Sequence, residues 1–319
     1  MRLLRYFALL VYLSFHTAYA QGYPERTLNL VVPFPPGGSA DAVARPIAEK
    51  LGAILGKPVV VENRGGANTT IGALNVAQAP ADGYRLFLMP GTHVLNPRLM
   101  KSVPFDPIGD FTPVSMIAST PYVLFAARNL PFDTLQGMID YARANPGEVS
   151  VGTTDALGKM ASARLARVAD VQLVEVSYKG APQLTSDVMG GHLAMGINTP
   201  VVVRGLHDEG SVRALAITGT QTVETLKGVP TAAQVLGEPG YDFYTWFALA
   251  GPAGLPPEVV SKLEQAMSQI LRDPDIRQRL IAFGMTPAED TTPAYASKLM
   301  QNYMEEMGKL VEAAGITPQ

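Results

Sequence analysis

In the stretch Val31-Val32-Pro33-Phe34-Pro35-Pro36-Gly37-Gly38-Ser39-Ala40-Asp41, an apolar run that begins at Leu28 gives way to a dense turn signal and then to a helical pattern. The apolar run has the composition of a buried strand. Ser39 is of the residue type that caps helices and predicts a helix start beside it. The connecting loop carries one bulky side chain, Phe34. Gly37 and Gly38 let a ligand approach the backbone closely. Leftover N–H groups at a helix start, with the positive end of the helix dipole, favour an anion there. The same residues also fit an ordinary strand-to-helix turn in which Ser39 only caps.

Working outward, Val43, Ile47, Leu51 and Leu55 share one face of that helix, and Pro46 inside it predicts a kink or a late start. Val59 to Val61 reads as a short buried strand and Thr70 to Ala79 as a helix. Tyr84 to Met89 reads as a strand running into Pro90-Gly91-Thr92-His93. This alternation predicts an α/β fold with parallel-type sheets flanked by helices. Phe111 to Ala127, β-branched and aromatic, reads as extended chain crossing into a second α/β unit. In that unit a helix over 135–144 precedes a strand over 149–152 and the loop Thr153-Thr154-Asp155. A helix over 159–168 follows, then a strand over 173–176 ending in Ser177-Tyr178-Lys179-Gly180-Ala181-Pro182. A short helix ends at Met189, a strand ends at Ile197-Asn198-Thr199-Pro200, Asp208-Glu209 reads as a solvated turn, and 213–218 is a strand. Tyr241 to Ala250 reads as the return crossing. Amphipathic helices over 258–271, 275–283 and 293–314 then pack back on the first unit. Five strands thus end in Gly-, Thr- or Ser-rich loops, after Val32, Met89, Gly152, Val176 and Ile197. Open α/β sheets bind ligands outside the carboxyl ends of their strands, so two facing units predict a cleft that closes on a small molecule.

The start of the chain narrows the setting. Met1-Arg2-Leu3-Leu4-Arg5, an apolar run from Tyr6 to Phe15 and Ala18-Tyr19-Ala20 have the pattern of a secretory leader cut after Ala20, which predicts a periplasmic protein. The run is too short to span a bilayer. Among 319 residues there is no cysteine, so stability rests on the core rather than on disulfides. That length suits two domains. A net charge of −3 with no basic cluster argues against a nucleic-acid partner.

Catalytic patterns are absent. His93, His192 and His207 lie far apart and lack metal-ligand spacing. There is no G-x-S-x-G elbow, and Gly37-Gly38-Ser39 continues as neither a P-loop nor a dinucleotide fingerprint. Lys179 suits a Schiff base and a carboxylate partner equally well. Neither an enzyme activity, a metal nor a cofactor is therefore expected. A secreted α/β hydrolase, the competing class, would need a nucleophile with a base in reach.

The segment Val32 to Asp41 with Ala44-Arg45 resembles the solute receptors of tripartite tricarboxylate transporters, the Bug receptors. The likeness continues through Leu55 to Arg64, Ile71-Gly72, Ala81-Asp82-Gly83-Tyr84, Thr92-His93, Asn96-Pro97 and Tyr178-Lys179-Gly180. It resumes at Arg213-Ala214-Leu215-Ala216, Val229-Pro230-Thr231, Trp246-Phe247 and Gly251-Pro252-Ala253-Gly254. The resemblance implies a two-lobed periplasmic binding protein of type II-like architecture. Residues 21–121 with 246–319 would form one lobe and 122–245 the other. It further implies a small carboxylate ligand (a di- or tricarboxylate, an amino acid or an aromatic acid), delivery to a membrane permease, and a monomer without cofactor. A receptor that presents its ligand to a signalling membrane protein is the alternative. The ligand residues it implies are Phe34, Pro36, Gly37, Gly38, Ser39 and Asp41 on one side, with Thr92 and His93. Facing them stand Thr153, Thr154, Asp155, Tyr178, Lys179, Gly180, Ala181, Asn198 and Thr199. The chain departs from the family pattern at Pro36, at Lys159 where a histidine is common, and at Asn198 where an aspartate is frequent.

Overall fold

The computed structural model describes residues 22–313. The leader and cleavage site expected from the sequence lie outside the described residues. Strand β1 (Leu28–Val32) leads into helix α1 (Ser39–Leu55), followed by β2 (Val59–Asn63), α2 (Thr70–Ala77) and β3 (Arg85–Pro90). A 3-10 turn over Gly91–Leu95 runs into the single turn α3 (Asn96–Leu99). Then come β4 (Phe111–Pro121), β5 (Val123–Ala127), α4 (Leu135–Ala144), β6 (Val149–Thr153), α5 (Ala156–Ala169) and β7 (Leu173–Ser177). The chain continues through α6 (Ala181–Met189), β8 (Met195–Asn198), α7 (Pro200–Asp208), β9 (Val212–Ile217) and α8 (Ala232–Leu236). It closes with β10 (Tyr244–Pro252), α9 (Pro257–Arg272), α10 (Pro274–Ala282), β11 (Thr286–Pro287) and α11 (Pro293–Ala313).

These strands form two sheets, ordered β11-β4-β10-β3-β1-β2 and β7-β6-β8-β5-β9. Both are mixed rather than wholly parallel. β1 is parallel to β2 and β3, and β6 to β7 and β8, whereas β10 and β5 run antiparallel to their neighbours. The antiparallel strands are parts of the crossing segments. β4 carries the chain out, β10 brings it back, and the two pair from Tyr244 opposite Pro121 to Pro252 opposite Phe111. Composition marks such segments as extended but says nothing about strand direction.

Helix α1 shows how the sequence builds a lobe. Val43, Ile47 and Leu51 recur at helical spacing and are fully buried. The helix runs unbroken through Pro46, whose ring is buried, and Gly56 in the left-handed conformation stops it. The late start expected from Pro46 does not occur. β2, expected to be buried, is instead an edge strand with Val60 about half exposed. The solvated turn expected at Asp208-Glu209 is the end of α7, a helix that Thr199-Pro200 announces by the usual preference for Pro in a first turn. The helix expected from Lys159 begins a turn earlier, at Ala156, because Asp155 caps it by accepting from the Gly158 N–H at 2.9 Å.

At the crossing, one threonine ties the segments together. Tyr122 N–H donates to Thr218 Oγ1 at 2.9 Å, and Thr218 N–H donates to the Tyr122 carbonyl at 2.9 Å. Phe243 N–H donates to the Thr218 carbonyl at 3.1 Å, and the Thr218 hydroxyl bonds the Phe243 carbonyl in return. Thr218 is fully buried. Thr218→Val keeps the shape but strips the Tyr122 N–H of its partner, which should cost about 1–3 kcal/mol. Urea unfolding of both proteins checks this; an unchanged midpoint would mean that the hydroxyl does not hold the crossing.

Candidate functional site

Between the two sheets lies a small cavity. It sits where the strand orders β2-β1-β3 and β7-β6-β8 reverse, at the carboxyl ends of the strands. The loop after β1 supplies Phe34, Pro35, Gly38, Ser39 and Ala40, and that after β3 supplies Pro90 and Thr92. Thr154 and Asp155 follow β6, Gly180 and Ala181 follow β7, and Asn198 and Thr199 follow β8. Tyr122, Thr245 and Phe247 of the crossing segments complete the wall. The jaws touch: a Cβ built on Gly180 would lie 3.1 Å from Pro35 Cγ, and one on Gly37 would lie 3.4 Å from Pro182 Cγ.

Four helices begin at this cavity. Their N-cap residues, Gly38 for α1, Asp155 for α5, Gly180 for α6 and Thr199 for α7, all line it. Three of the four have no side-chain cap; only Asp155 caps its own helix. First-turn N–H groups have no partner within a helix, so donors accumulate here, though Pro182 in α6 and Pro200 in α7 supply none. Ser39 is not the cap expected from its residue type. Gly38 takes that position in extended conformation (φ −95°, ψ −178°), which leaves Ser39 as the first helical residue with its hydroxyl unspent on capping. Thr92 is almost completely buried, and its hydroxyl has no hydrogen-bond partner among the described residues. Among the described residues, no lysine or arginine lines the cavity.

Asp41 belongs to the frame rather than the wall. Its carboxylate accepts from the Gly37 N–H (3.2 Å), from Asn63 (3.1 Å) and, through both oxygens, from Arg45 (2.9 Å each). Asn63 also donates to the Phe34 carbonyl at 3.0 Å, so two side chains hold the loop's shape. Desolvation raises the Asp41 pKa, but the bonds from Arg45, Gly37 and Asn63 outweigh it and hold the carboxyl below its usual range. Gly37, at φ +88°, is where the turn requires glycine.

Among the described residues, Asp155 is the one acidic group in the wall. One oxygen caps α5 and the other accepts from Tyr122 Oη at 2.9 Å. Burial pushes its pKa up, against the helix N–H groups and Tyr122, and burial also raises the Tyr122 hydroxyl. Asn198 is spent locally: its Oδ1 accepts from the Thr199 N–H at 2.9 Å, and its Nδ2 faces Thr154 Oγ1 at 3.4 Å.

Of the residues expected from sequence, Phe34, Gly38, Ser39, Thr92, Thr154, Asp155, Gly180, Ala181, Asn198 and Thr199 meet around the cavity. Thr153 and Tyr178 line an adjoining compartment, where Tyr178 Oη donates to Asp187 at 2.7 Å. Pro36, Gly37 and Lys179 are exposed and do not line the cavity. His93 is the clearest correction. It is fully buried among Phe87, Phe105 and Phe111, with Nε2 bonded to the Pro107 carbonyl at 2.9 Å. Sequence reasoning missed Pro35, Ala40, Pro90, Tyr122, Thr245 and Phe247. Pro35 and Ala40 lie inside the quoted loop and Pro90 beside Thr92; the other three come from crossing segments that show only as extended chain. Among the described residues no cluster could hold a metal ion, and no helix is long and apolar enough to cross a membrane.

Two mixed α/β sheets joined by paired crossing strands, with strand ends facing across a cavity, define a two-lobed periplasmic binding protein fold. The chain belongs to the tripartite tricarboxylate transporter receptor family, whose model matches residues 43–316. BugT of Bordetella pertussis is 36% identical over 276 residues, covering 84% of this chain and 83% of that one. The periplasmic binding protein BugD superposes with a TM-score of 0.88 at 30% identity, covering 93% of this chain and 100% of its own. An R. palustris protein solved with adipate gives 0.88 at 31% identity, with 93% and 100% covered. MatC from Rhodopseudomonas palustris, solved with malate, gives 0.84 at 29% identity, with 91% and 100% covered.

His93 makes a pH prediction. Burial pushes its pKa down to about 4, against the Pro107 carbonyl, so it is neutral in the folded protein. The unfolded chain takes the proton near pH 6.5. This contribution is complete above pH 6.5 and is lost as the pH falls from there toward 4. Denaturant unfolding at pH 7 and pH 4.5 should show His93→Phe losing about 2–3 kcal/mol less than the native protein over that interval. Parallel losses would mean that His93 does not titrate in this window.

Proposed function

We propose that this chain is a periplasmic receptor that traps a small carboxylate between its lobes and delivers it to a tripartite-type membrane permease. The observation that carries this is the cavity's donor set: four helix N-termini converge there, three without side-chain caps, together with the unpaired, buried Thr92 hydroxyl. Such a set suits an anion, which supports binding as the function. Ser39, Thr92, Thr154, Thr199 and the N–H groups after Gly38 and Gly180 hold the ligand in this account. Asp41, Asn63 and Tyr122 position the walls. The adipate and malate in the related structures agree with a carboxylate ligand. Residues 21–121 with 246–319 form one lobe and 122–245 the other, and the mature protein, cut after Ala20, works as a monomer that opens and closes.

Ligand that binds the closed state better than the open one shifts the protein toward closure and stabilises the fold. A thermal-shift screen of small carboxylates should therefore find a stabiliser, worth about 2.7 kcal/mol at a hundred times its Kd. Gly38 has ordinary extended geometry, and a Cβ there meets nothing within 4 Å, so Gly38→Val should fold normally while its side chain crowds the cavity. The variant is expected to keep the ligand-free melting temperature and lose the shift. A full shift in Gly38→Val, or no stabiliser among aliphatic, amino and aromatic acids, would overturn the proposal.

A further inference from the structure

The helix starts make the cavity suit an anion, yet the one charged side chain in its wall among the described residues is negative, Asp155. No basic group answers it. Lys159, one turn further along α5, lies in the adjoining compartment with its Nζ 3.2 Å from Glu175 Oε2 of β7. Tyr178, in the same compartment, donates to Asp187. Tyr303 of α11 is the remaining titratable group near Asp155, and its hydroxyl is spent on the Tyr244 carbonyl.

The two oxygens of Asp155 have different work. Oδ1 accepts from the Gly158 N–H at 2.9 Å and is committed to the start of α5. Oδ2 accepts from Tyr122 Oη at 2.9 Å. Tyr122 is buried, lines the cavity and also bonds the side chain of Thr245, which lines it too. Burial pushes the phenols of Tyr122 and Tyr303 up, so both are neutral. The Tyr122 hydroxyl has one proton to donate, and ionised Asp155 claims it. A ligand carboxylate beside them therefore meets a negative charge and the lone pairs of a phenol. When two carboxylates share a site, one of them has its pKa strongly raised.

We infer that the receptor binds its carboxylate together with one proton from solvent, lodged on Oδ2 of Asp155. The protonated Oδ2 then donates to Tyr122 Oη, and the Tyr122 hydroxyl turns to donate to the ligand. Oδ1 keeps its bond to the helix. One proton thus removes the repelling charge and adds a donor to the wall. Burial already holds the Asp155 carboxyl above its usual range, against the helix N–H groups and Tyr122, so the ligand's charge pushes further in a direction the fold has set. The sign follows: affinity is highest where Asp155 can take the proton and falls as the pH rises. This inference rests on the receptor reading above.

Calorimetric titration with acetate, succinate, adipate and benzoate tests it, run from pH 6.5 to pH 8 in buffers of different ionisation enthalpy, which counts the protons taken up. The native protein should take up as much as one proton per acid bound, and its affinity should fall with rising pH by up to about tenfold per pH unit. Asp155→Asn keeps an oxygen to cap α5 and presents an amide in place of the protonated oxygen. It should bind with no uptake from the protein, hold a steady affinity over this range, and bind about tenfold tighter than the native protein at pH 8, the worth of one pKa unit. Damaged folding cannot imitate that gain, and adding Tyr122→Phe should remove it. The same uptake and pH profile in the native protein and Asp155→Asn would overturn the inference while leaving the receptor reading intact. So would weaker binding by Asp155→Asn at every pH, which would mean that Asp155 accepts a hydrogen bond from the ligand. Failure of every acid to bind the native protein would sink both.

Discussion

Four helix N-termini meet at one small space, and the rest of the structure serves to bring them there. A helix dipole places roughly half a positive charge at each start and is worth about 0.3–1 kcal/mol to a nearby anion. Taking a carboxylate out of water costs several kcal/mol, so dipoles alone are insufficient. Hydrogen bonds to a charged group contribute about 1.5–3 kcal/mol each, and several unspent N–H and hydroxyl donors at this point decide the balance. A cavity without lysine or arginine can in this way hold an anion. The requirement explains why both sheets present the carboxyl ends of β1, β3, β6, β7 and β8 to each other, since each helix start follows from a strand end.

The convergence demands accuracy, and the supporting bonds supply it. Asp41 and Asn63 hold the Phe34–Ser39 loop from behind, Asp155 fixes the start of α5, and Tyr122 joins that start to the crossing strand. Thr218 ties both crossing segments together. These bonds lie within a lobe or at the crossing, whereas contacts such as Pro35 with Gly180 and Gly37 with Pro182 span the cleft. Opening the cleft would break the second set and spare the first. That division is what a receptor needs, because ligand energy is then spent on closing the jaws rather than on shaping them.

Much of this was legible in the chain, for local reasons. β1 (Leu28–Val32) and α4 (Leu135–Ala144) fall where the apolar pattern puts them, and the Gly/Thr/Ser-rich strand ends do gather around one space. What failed depended on the partner rather than on the segment. His93 follows a strand end, as a ligand residue would, yet the distant Phe105 and Phe111 bury it. Ser39 is an excellent cap by type, but the chain reaches extended geometry at Gly38, one residue earlier. Strand direction, and the arrival of Tyr122, Thr245 and Phe247 in the wall, follow from how β4 and β10 pair across more than a hundred residues. Helix α7 was missed despite a readable signal, the Thr199-Pro200 start, and so was α8, which the Thr231–Gln234 capping box announces.

Co-crystallisation with a carboxylate that stabilises the protein tests the central claim most directly. A ligand carboxylate is expected beside the first turn of α1, within hydrogen-bond reach of the Ser39 and Ala40 N–H groups and the Thr92 hydroxyl, with α6 and α7 starting opposite. A carboxylate found instead on a surface lysine or arginine, with Thr92 still unpaired and the helix starts untouched, would contradict it.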